Sequence, residues 1–448
     1  MSLACTHPGA PASSRVCVHL LDAAEPAHYI RFTGKGREYD LICPRCGKQP
    51  ETIEPNLREV CSACLQRIEE GYWEDGGIAG APQVLTRPSS LHFVSYAAPL
   101  APPLTERLLA LQPIPVAQEC TCIGLTASGK LIRVNLTTGQ WTETLQLPPS
   151  NIDLEHPVML RISAEGRFAA ITNTHGRYGL VLDLHTGQPT MALDRQTYHT
   201  EHSVFSVAFF EHRGQPLLIH ATDWKRLDIS DPQTGVCLTQ RELPSYRQGE
   251  PRQPHYLDYF HGGLTVSPGQ HRVADNGWYW HPVGIVTTWR LDRWLEGNIW
   301  ESEDGSSRRE LCTRAYFWDG PLCWIDSQTL AVWGWGKDDA YMIAAVRLFD
   351  AITGAELRWF AGPVGQKREI YCYREDGSPV YVNKPTGALV FDTYLFSFAE
   401  EHGISVYDIA TGEQLLHDTT LCPLCYHPGA RQFLSLSTDG NFQLHSIG

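Results

Sequence analysis

The stretch Leu182-Asp183-Leu184-His185-Thr186-Gly187 belongs to a short pattern that recurs along most of the chain. In each copy an apolar segment ends in Asp or Asn, turns through Thr-Gly and continues as another apolar segment. A tight hairpin needs positive φ near its end, which Gly adopts without a Cβ clash, while Asp or Asn hydrogen-bonds the turn backbone. Each copy therefore predicts a β-hairpin. The copies lie at 134–139, 182–187, 231–235, 348–354 and 406–412.

The spacing of the copies indicates a regular repeat. Gly139, Gly187 and Gly235 are 48 residues apart, and Gly354 follows after 119 residues, close to two repeats. This gap predicts a drifted copy near Trp289-Arg290-Leu291-Asp292. A second turn pattern lies upstream in several units, at 163–168, 267–270 and 427–430. Two hairpin turns in each repeat predict four strands per repeat.

A repeat of about 40–50 residues with four strands is the period of a propeller blade, a small sheet that must stack on its neighbours around a channel. From about residue 90 to its end the chain resembles the WD40-like β-propellers. Its one Trp-Asp pair, Trp318-Asp319, lies outside the repeat pattern. The predicted fold class is all-β, a seven-bladed β-propeller with a small N-terminal zinc-binding domain.

We expect three segments along the chain: a zinc-binding module at 1–80, a linker at 81–90 and the propeller at 91–448. The last repeat is short, with room for about three strands after Cys422. A closed ring must hide its free strand edges, and propellers commonly complete the last blade with a strand from the beginning of the ring. Residues 91–96 are predicted to be that strand.

Two Cys-x-x-Cys pairs in the N-terminal module predict a structural zinc site. They comprise Cys43 and Cys46, then Cys61 and Cys64, with 14 residues between the pairs. A two-residue gap lets both thiolates face one ion, and two such pairs complete a tetrahedral site with no open position. The pattern resembles zinc-ribbon or treble-clef modules.

A second zinc site is predicted from a repeated Cys-x-His pattern upstream. Its candidate ligands are Cys5, His7, Cys17 and His19. Cys17 and His19 followed by two Cys-x-x-Cys pairs also resemble ubiquitin-binding zinc fingers, although the later histidines of that pattern are absent. One zinc ion is expected per chain, and two if this second set binds.

Charge and hydropathy restrict the partners. The chain has 50 acidic and 36 basic residues and a formal charge of −14, which repels a phosphate backbone and is compatible with a basic protein partner. No stretch resembles a signal peptide, and no apolar run approaches the ~18–20 residues that cross a bilayer. We therefore expect a cytoplasmic protein that binds neither nucleic acid nor membranes.

The sequence shows no standard catalytic signature. It has no Gly-x-Ser-x-Gly elbow and no His-Glu-x-x-His helix. Because propeller enzymes assemble their sites from distant blades, enzymatic activity stays open, and a hydrolase or lyase with its site at the channel mouth is an alternative hypothesis.

Tryptophan is concentrated in one part of the predicted ring, since nine of the 13 Trp lie between 278 and 335. Aromatic side chains beside a charged loop are typical of protein interfaces. The candidate partner-binding residues are Trp278, Trp280, Trp333 and Trp335. The leading hypothesis is a non-catalytic protein-binding scaffold. A bacterial immunity or antitoxin-like protein that blocks a toxin is a more specific version.

Overall fold

The structure is a computed structural model. It describes residues 11–24, 27–32, 40–47, 53–71, 73–74, 84–242, 244, 249, 251–280, 282–315, 317–335, 343–362, 366–373, 379–385, 387–400, 402–437 and 441–448. Within these residues no helix combines the length and the apolar character needed to cross a bilayer.

The N-terminal residues form a five-stranded mixed sheet with strand order β4-β1-β3-β2-β5. Its strands are β1 (Pro11–Cys17), β2 (His28–Phe32), β3 (Asp40–Ile42), β4 (Leu57–Cys61) and β5 (Trp73–Glu74). Its helices are α1 (Val18–Leu21), α2 (Pro44–Gly47), α3 (Ile53–Asn56) and α4 (Ser62–Gly71). The sheet has a hydrophobic core of its own, whose buried members run from Val16 to Ile68.

A buried ion pair joins two neighbouring strands of this sheet. Arg15 Nη2 lies 2.8 Å from Asp40 Oδ2, and the Arg15 backbone N–H donates to Asp40 Oδ1 at 2.7 Å. The Asp40 side chain is fully buried. A buried carboxylate needs such a partner, so the pair fixes β1 against β3.

From residue 93 onward the chain forms a succession of small antiparallel sheets. The first sheet contains β7 (Leu108–Pro113), β8 (Thr121–Thr126), β9 (Lys130–Asn135) and β10 (Gln140–Gln146). The second contains β11 (Val158–Ile162), β12 (Phe168–Asn173), β13 (Tyr178–Asp183) and β14 (Gln188–Asp194). The third contains β15 (Val207–His212), β16 (Gln215–Asp223) and β17 (Arg226–Ser230). The third sheet has three strands, and an isolated bridge between Ser230 and Cys237 extends it.

The remaining sheets follow the same plan. The fourth sheet contains β18 (Phe260–Val266), β19 (Arg272–Tyr279), β20 (Val283–Arg290) and β21 (Arg309–Ala315), and the fifth contains β22 (Leu322–Trp324), β23 (Thr329–Trp335), β24 (Ile343–Asp350) and β25 (Glu356–Ala361). The sixth contains β28 (Ala388–Phe391), β29 (Leu395–Ala399), β30 (Gly403–Tyr407) and β31 (Gln414–Asp418). The seventh contains β32 (Cys425–His427), β33 (Gln432–Leu436), β34 (Phe442–Ile447) and β6 (Phe93–Ala98). A separate hairpin of β26 (Gln366–Tyr373) and β27 (Pro379–Pro385) lies between two of them in the chain. The prediction of an all-β fold is confirmed, and among the described residues six of these seven sheets have the predicted four strands.

The first strands of consecutive sheets pack against one another. Contacts join β7 to β11, β11 to β15, β15 to β18, β18 to β22, β22 to β28, and β32 back to β7. The last sheet borrows β6 from the start of this region, with Phe93 opposite Ile447 and Ala98 opposite Phe442. These contacts return the chain to its first sheet, which is the arrangement of a β-propeller.

The Thr-Gly copies have the turn chemistry that their sequence predicts. Gly139, Gly187, Gly235, Gly354 and Gly412 all have φ between 71° and 81°. Preceding Asx side chains accept backbone N–H groups of the turn, as Asp183 Oδ1 does from His185 at 2.8 Å. The drifted copy differs, because the chain leaves β20 at Arg290 into α5 (Leu291–Glu296) and α6 (Glu301–Asp304) instead of a tight turn.

The predicted linker is only partly described, since residues 75–83 lie outside the described residues. After them, Thr86 bridges Gln414 in parallel, and Arg87 Nη2 lies 2.7 Å from Asp408 Oδ2. Residues 85–87 therefore run along the outer edge of β31.

Candidate functional site

Two features are candidate functional sites, and the first is a cluster of three cysteines and one histidine in the N-terminal sheet. Cys17 ends β1 and His19 lies in α1, while Cys43 follows β3 and Cys46 lies in α2. β1 and β3 pair in parallel, with Val16 opposite Leu41. Because parallel strands end at the same edge of a sheet, this pairing brings Cys17 and His19 to Cys43 and Cys46.

The ligand atoms have the spacing of a tetrahedral metal site. Cys17 Sγ lies 3.8 Å from Cys43 Sγ and 3.6 Å from Cys46 Sγ. His19 Nδ1 lies 3.1 Å from Cys17 Sγ, 3.3 Å from Cys46 Sγ and 3.7 Å from Cys43 Sγ. A zinc tetrahedron with metal–sulfur bonds of about 2.3 Å has sulfur–sulfur edges of about 3.8 Å and sulfur–nitrogen edges of about 3.6 Å. The four residues therefore fit one divalent cation.

The thiols of the cluster are buried and are contacted by neighbouring N–H groups. Cys17 and Cys46 are buried, and His19 closes the cluster on its solvent side. The Cys46 backbone N–H points to Cys43 Sγ at 3.5 Å, and Asn56 Nδ2 to Cys46 Sγ at 3.8 Å. Burial raises the pKa of the Cys17 thiol to about 12, and the neighbouring Cys43 thiol acts in the same direction.

The cluster takes one pair of residues from each of the two predicted zinc sites. Cys61 and Cys64 are buried in the same hydrophobic core but are not among the four clustered residues. In the antiparallel pairing of β1 with β4, Cys17 lies opposite Leu57, whereas Cys61 lies opposite Pro11. Four residues of β4 separate the two positions, about 13 Å at 3.3 Å per residue. Cys5 and His7 lie outside the described residues.

The second feature is an aromatic surface at one end of the sheets that begin with β15, β18 and β22. In an antiparallel meander the turn between the second and third strands lies at the same end as the connection to the next sheet. Trp224 and Trp280 lie in or beside such turns, and Tyr198 and Trp318 lie in such connections. Phe260, the first residue of β18, lies at this end as well.

The aromatic rings pack against one another in one cluster, with some pairs stacked and others tilted. Phe260 and Trp278 are stacked at 4.0 Å, and Trp278 is stacked on Trp318 at 5.0 Å. Trp224 packs on Phe260 at 4.4 Å, and Tyr198 on Trp224 at 5.0 Å. We call the set of Tyr198, Trp224, Phe260, Trp278, Trp280 and Trp318 the aromatic surface.

The four predicted partner-binding tryptophans have different environments. Trp278 is 1% exposed and its Nε1 donates to Ser203 Oγ at 2.8 Å, whereas Trp280 is 47% exposed. Trp333 is buried and stacks on Phe317 at 5.7 Å. The side chain of Trp335 lies outside the described residues. Tyr198, 46% exposed, and Trp224 were not predicted, because the sequence shows no sign that distant sheets bring them to Trp280.

A buried polar network lies beneath the aromatic surface. His261 Nδ1 and Asp275 Oδ2 are 2.6 Å apart, and Asp275 Oδ1 accepts the Gly262 N–H at 2.9 Å. Arg314 donates to the Trp333 carbonyl at 2.7 Å and to Asn276 Oδ1 at 3.0 Å. These contacts tie neighbouring strands together below the aromatic rings.

Comparisons with known proteins give similarity in fold only. No protein-family model matches the sequence, and no curated protein matches it. Similar solved structures include the WD40 repeats of RRP9, at 11% identity, covering 82% of this chain and 100% of that one with a TM-score of 0.47. They also include a chain of the mitotic checkpoint complex, at 13% identity, 83% and 96% coverage and a TM-score of 0.45. U3-55K is a third, at 10% identity, 79% and 98% coverage and a TM-score of 0.46.

The order of the described sheets is that of a β-propeller. The successive four-stranded meanders, the contacts between their first strands and the borrowed strand β6 carry this conclusion. No specific propeller family is identified.

Proposed function

We propose that this protein is a non-catalytic protein-binding scaffold, in which seven sheets form the seven blades of a propeller and the aromatic surface binds a protein partner. The observation that carries the proposal is the exposure of Trp280 and Tyr198 above a rigid stack of buried rings. Large rigid aromatic side chains supply contact area at a low cost in conformational entropy, and they are enriched among the residues that dominate binding energy.

The charge of the chain specifies the partner further. With a formal charge of −14, the protein attracts basic surfaces over a distance of about 8 Å at physiological ionic strength. A basic partner would therefore associate more slowly as salt is raised, while the aromatic contacts would persist.

The N-terminal module would hold a structural zinc ion. Cys17, His19, Cys43 and Cys46 would occupy all four positions of a tetrahedral site, leaving none for a substrate. The ion would stabilise the N-terminal sheet, because a hydrophobic core this small contributes little free energy of folding by itself. Elemental analysis of freshly purified protein should find at least one zinc per chain, and Cys17→Ser with Cys43→Ser should remove one equivalent. Equal zinc content in both proteins would contradict this assignment.

Partner binding is tested by affinity capture from a native lysate with quantitative mass spectrometry. Trp280→Ala combined with Tyr198→Ala should lose the captured partner, because both side chains lie on the proposed interface. Leu357→Ala is the matched control, since Leu357 is 55% exposed on the outer strand β25. Equal capture by all three proteins would place the interface elsewhere. A captured toxin domain would favour the immunity version, and turnover of a small molecule would favour the hydrolase or lyase.

A further inference from the structure

A second group of metal-ligating side chains lies at the rim of the aromatic surface. His199, Glu201 and His202 follow one another in the connection between β14 and β15, and their ligand atoms lie within 4.8 Å of one another. We propose that these three residues form a second metal site, which binds a divalent transition-metal ion, zinc by preference, and leaves one coordination position open.

The donor set and its spacing fit this ion. Two imidazole nitrogens and one carboxylate oxygen are a ligand set that zinc uses in sites with an open position. His199 Nδ1 lies 3.2 Å from Glu201 Oε1, and His202 Nε2 lies 3.3 Å from the same oxygen. Zinc bonds of about 2.0–2.1 Å in tetrahedral geometry give edges of about 3.4 Å. Two of the three edges already have this length.

The backbone that carries the three ligands is held in place from below. Arg195 is 4% exposed, and its guanidinium group donates hydrogen bonds to four backbone carbonyl oxygens. These belong to Gly176 at 2.7 Å, Ser203 at 2.8 Å, Thr200 at 3.0 Å and Val204 at 3.0 Å. Two of these carbonyls flank the ligand residues. The loop is therefore ordered before a metal binds, and binding costs little backbone entropy.

Two further contacts fix the histidines themselves. Trp318 Nε1 donates to the His202 carbonyl at 2.9 Å, and the His199 ring packs against the Trp280 ring at 5.0 Å. His199 has a φ of 51°, a left-handed conformation that costs energy in a residue other than Gly and is concentrated at functional sites. The strain is maintained by the surrounding hydrogen bonds.

The open position would face solvent, because the three side chains are 30%, 61% and 52% exposed. A water molecule or an imidazole or carboxylate of a docking protein could complete the coordination. The site does not depend on the proposed function, since the ion would bind in the absence of any partner.

Zinc titration by calorimetry, with the whole protein already carrying its Cys-bound metal, tests the site. One additional saturable equivalent is expected. His202→Ala should lower the affinity of this site for zinc at least about tenfold. Loss of a residue that only hydrogen-bonds a metal ligand already has an effect of this size, and His202 would be a ligand itself. His156→Ala is the matched control, because His156 Nδ1 lies 2.9 Å from Asp153 Oδ2 in an exposed pair without a third ligand. Unchanged thermal unfolding of both variants excludes a folding defect.

A second readout uses the neighbouring tryptophans. Cu²⁺ bound at this site should quench part of the tryptophan fluorescence, because Trp280 and Trp318 contact the two histidine residues. His202→Ala should remove that quenching, whereas His156→Ala should keep it. The absence of a saturable equivalent in the wild type, or the same affinity in wild type and His202→Ala, would overturn the proposal and leave the group as an ordinary surface ion pair.

Discussion

At the scale of single residues, the repeated Thr-Gly turns impose the same backbone angle but different neighbours. Gly139 and Gly187 both have φ of 71°. A Cβ at Gly139 would lie 2.5 Å from the Pro99 carbonyl oxygen, whereas a Cβ at Gly187 would meet nothing within 4 Å. The two positions are therefore a matched pair that separates backbone strain from steric clash.

We expect Gly187→Ala to destabilise the protein by about 1 kcal/mol, the cost of placing a residue with a Cβ in the left-handed region. Gly139→Ala should cost clearly more, because the Pro99 carbonyl cannot rotate away as a side chain could. Denaturant midpoints of the two variants measure the difference. Equal midpoints would mean that the segment around Pro99 moves freely.

The free energy of unfolding should depend on pH through the carboxyl group of Asp319. Burial raises the pKa of this carboxyl to about 7, and the nearby Asp275 adds to the rise. The residue as a whole is half-buried, but its Oδ1 is enclosed and has no hydrogen-bond partner among the described residues. Since the folded state binds this proton more tightly than the unfolded state, stability falls as pH rises from about 4 to about 7.

Asp319→Asn should therefore be more stable than the wild type at pH 8, by up to a few kcal/mol at about 1.4 kcal/mol per pKa unit. The advantage should disappear below about pH 4, where both side chains are neutral. Urea unfolding at pH 4, 6 and 8 checks the slope. A pH-independent difference would indicate that the carboxyl is ionised in the folded protein.

At the scale of elements, β6 closes the ring. All six of its residues pair with β34, and Ser95 Oγ lies 2.6 Å from His445 Nδ1. Phe93 meets the Phe433 ring edge-on at 6.1 Å. Without β6 the last sheet would expose the edge of β34, and such an edge pairs with other chains.

A chain of residues 84–448 should fold as a monomer, whereas a chain of residues 100–448 should aggregate or unfold at a lower temperature. The first keeps both β6 and the segment that pairs with β31, and the second loses both. Size-exclusion chromatography and thermal unfolding by circular dichroism separate the outcomes. A third chain, residues 91–448, keeps β6 but lacks the segment that pairs with β31. Its difference from the chain of residues 100–448 therefore measures the contribution of β6. Equal behaviour of all three would mean that closure contributes little stability.

At the scale of the whole molecule, the described residues form an N-terminal core and separate propeller cores with no shared members. If Cys17, His19, Cys43 and Cys46 hold zinc as proposed, removing the ion should destabilise the N-terminal region and leave the propeller folded. A zinc chelator should increase amide hydrogen exchange in residues 11–71 and leave residues 105–435 unchanged. The Cys17→Ser and Cys43→Ser double variant should show the same pattern without chelator. Exchange that increases along the whole chain would show that the two regions unfold together.

The repeat pattern predicts much of the propeller because its turns are local. A positive φ at Gly187 and an Asp183 carboxylate that accepts N–H groups within three residues need only neighbouring residues. The local pattern is lost where a long connection replaces the tight turn. Near Trp289-Arg290-Leu291-Asp292 the sequence predicts a drifted copy, and the chain forms α5 and α6 there between β20 and β21, with Trp294 buried.

Local sequence is sufficient to predict the repeat, the hairpin turns and the four strands of most sheets, because these depend on side chains a few residues apart. Only the tertiary structure decided which cysteines meet and which tryptophans reach solvent. The parallel pairing of β1 with β3 brings Cys17 and His19 to Cys43 and Cys46. Ser203 and Trp318, which lie in two different connections between sheets, contact Trp278, which is buried, while Trp280 stays exposed. Such encounters depend on the packing of elements far apart in the chain, which spacing along the sequence does not encode.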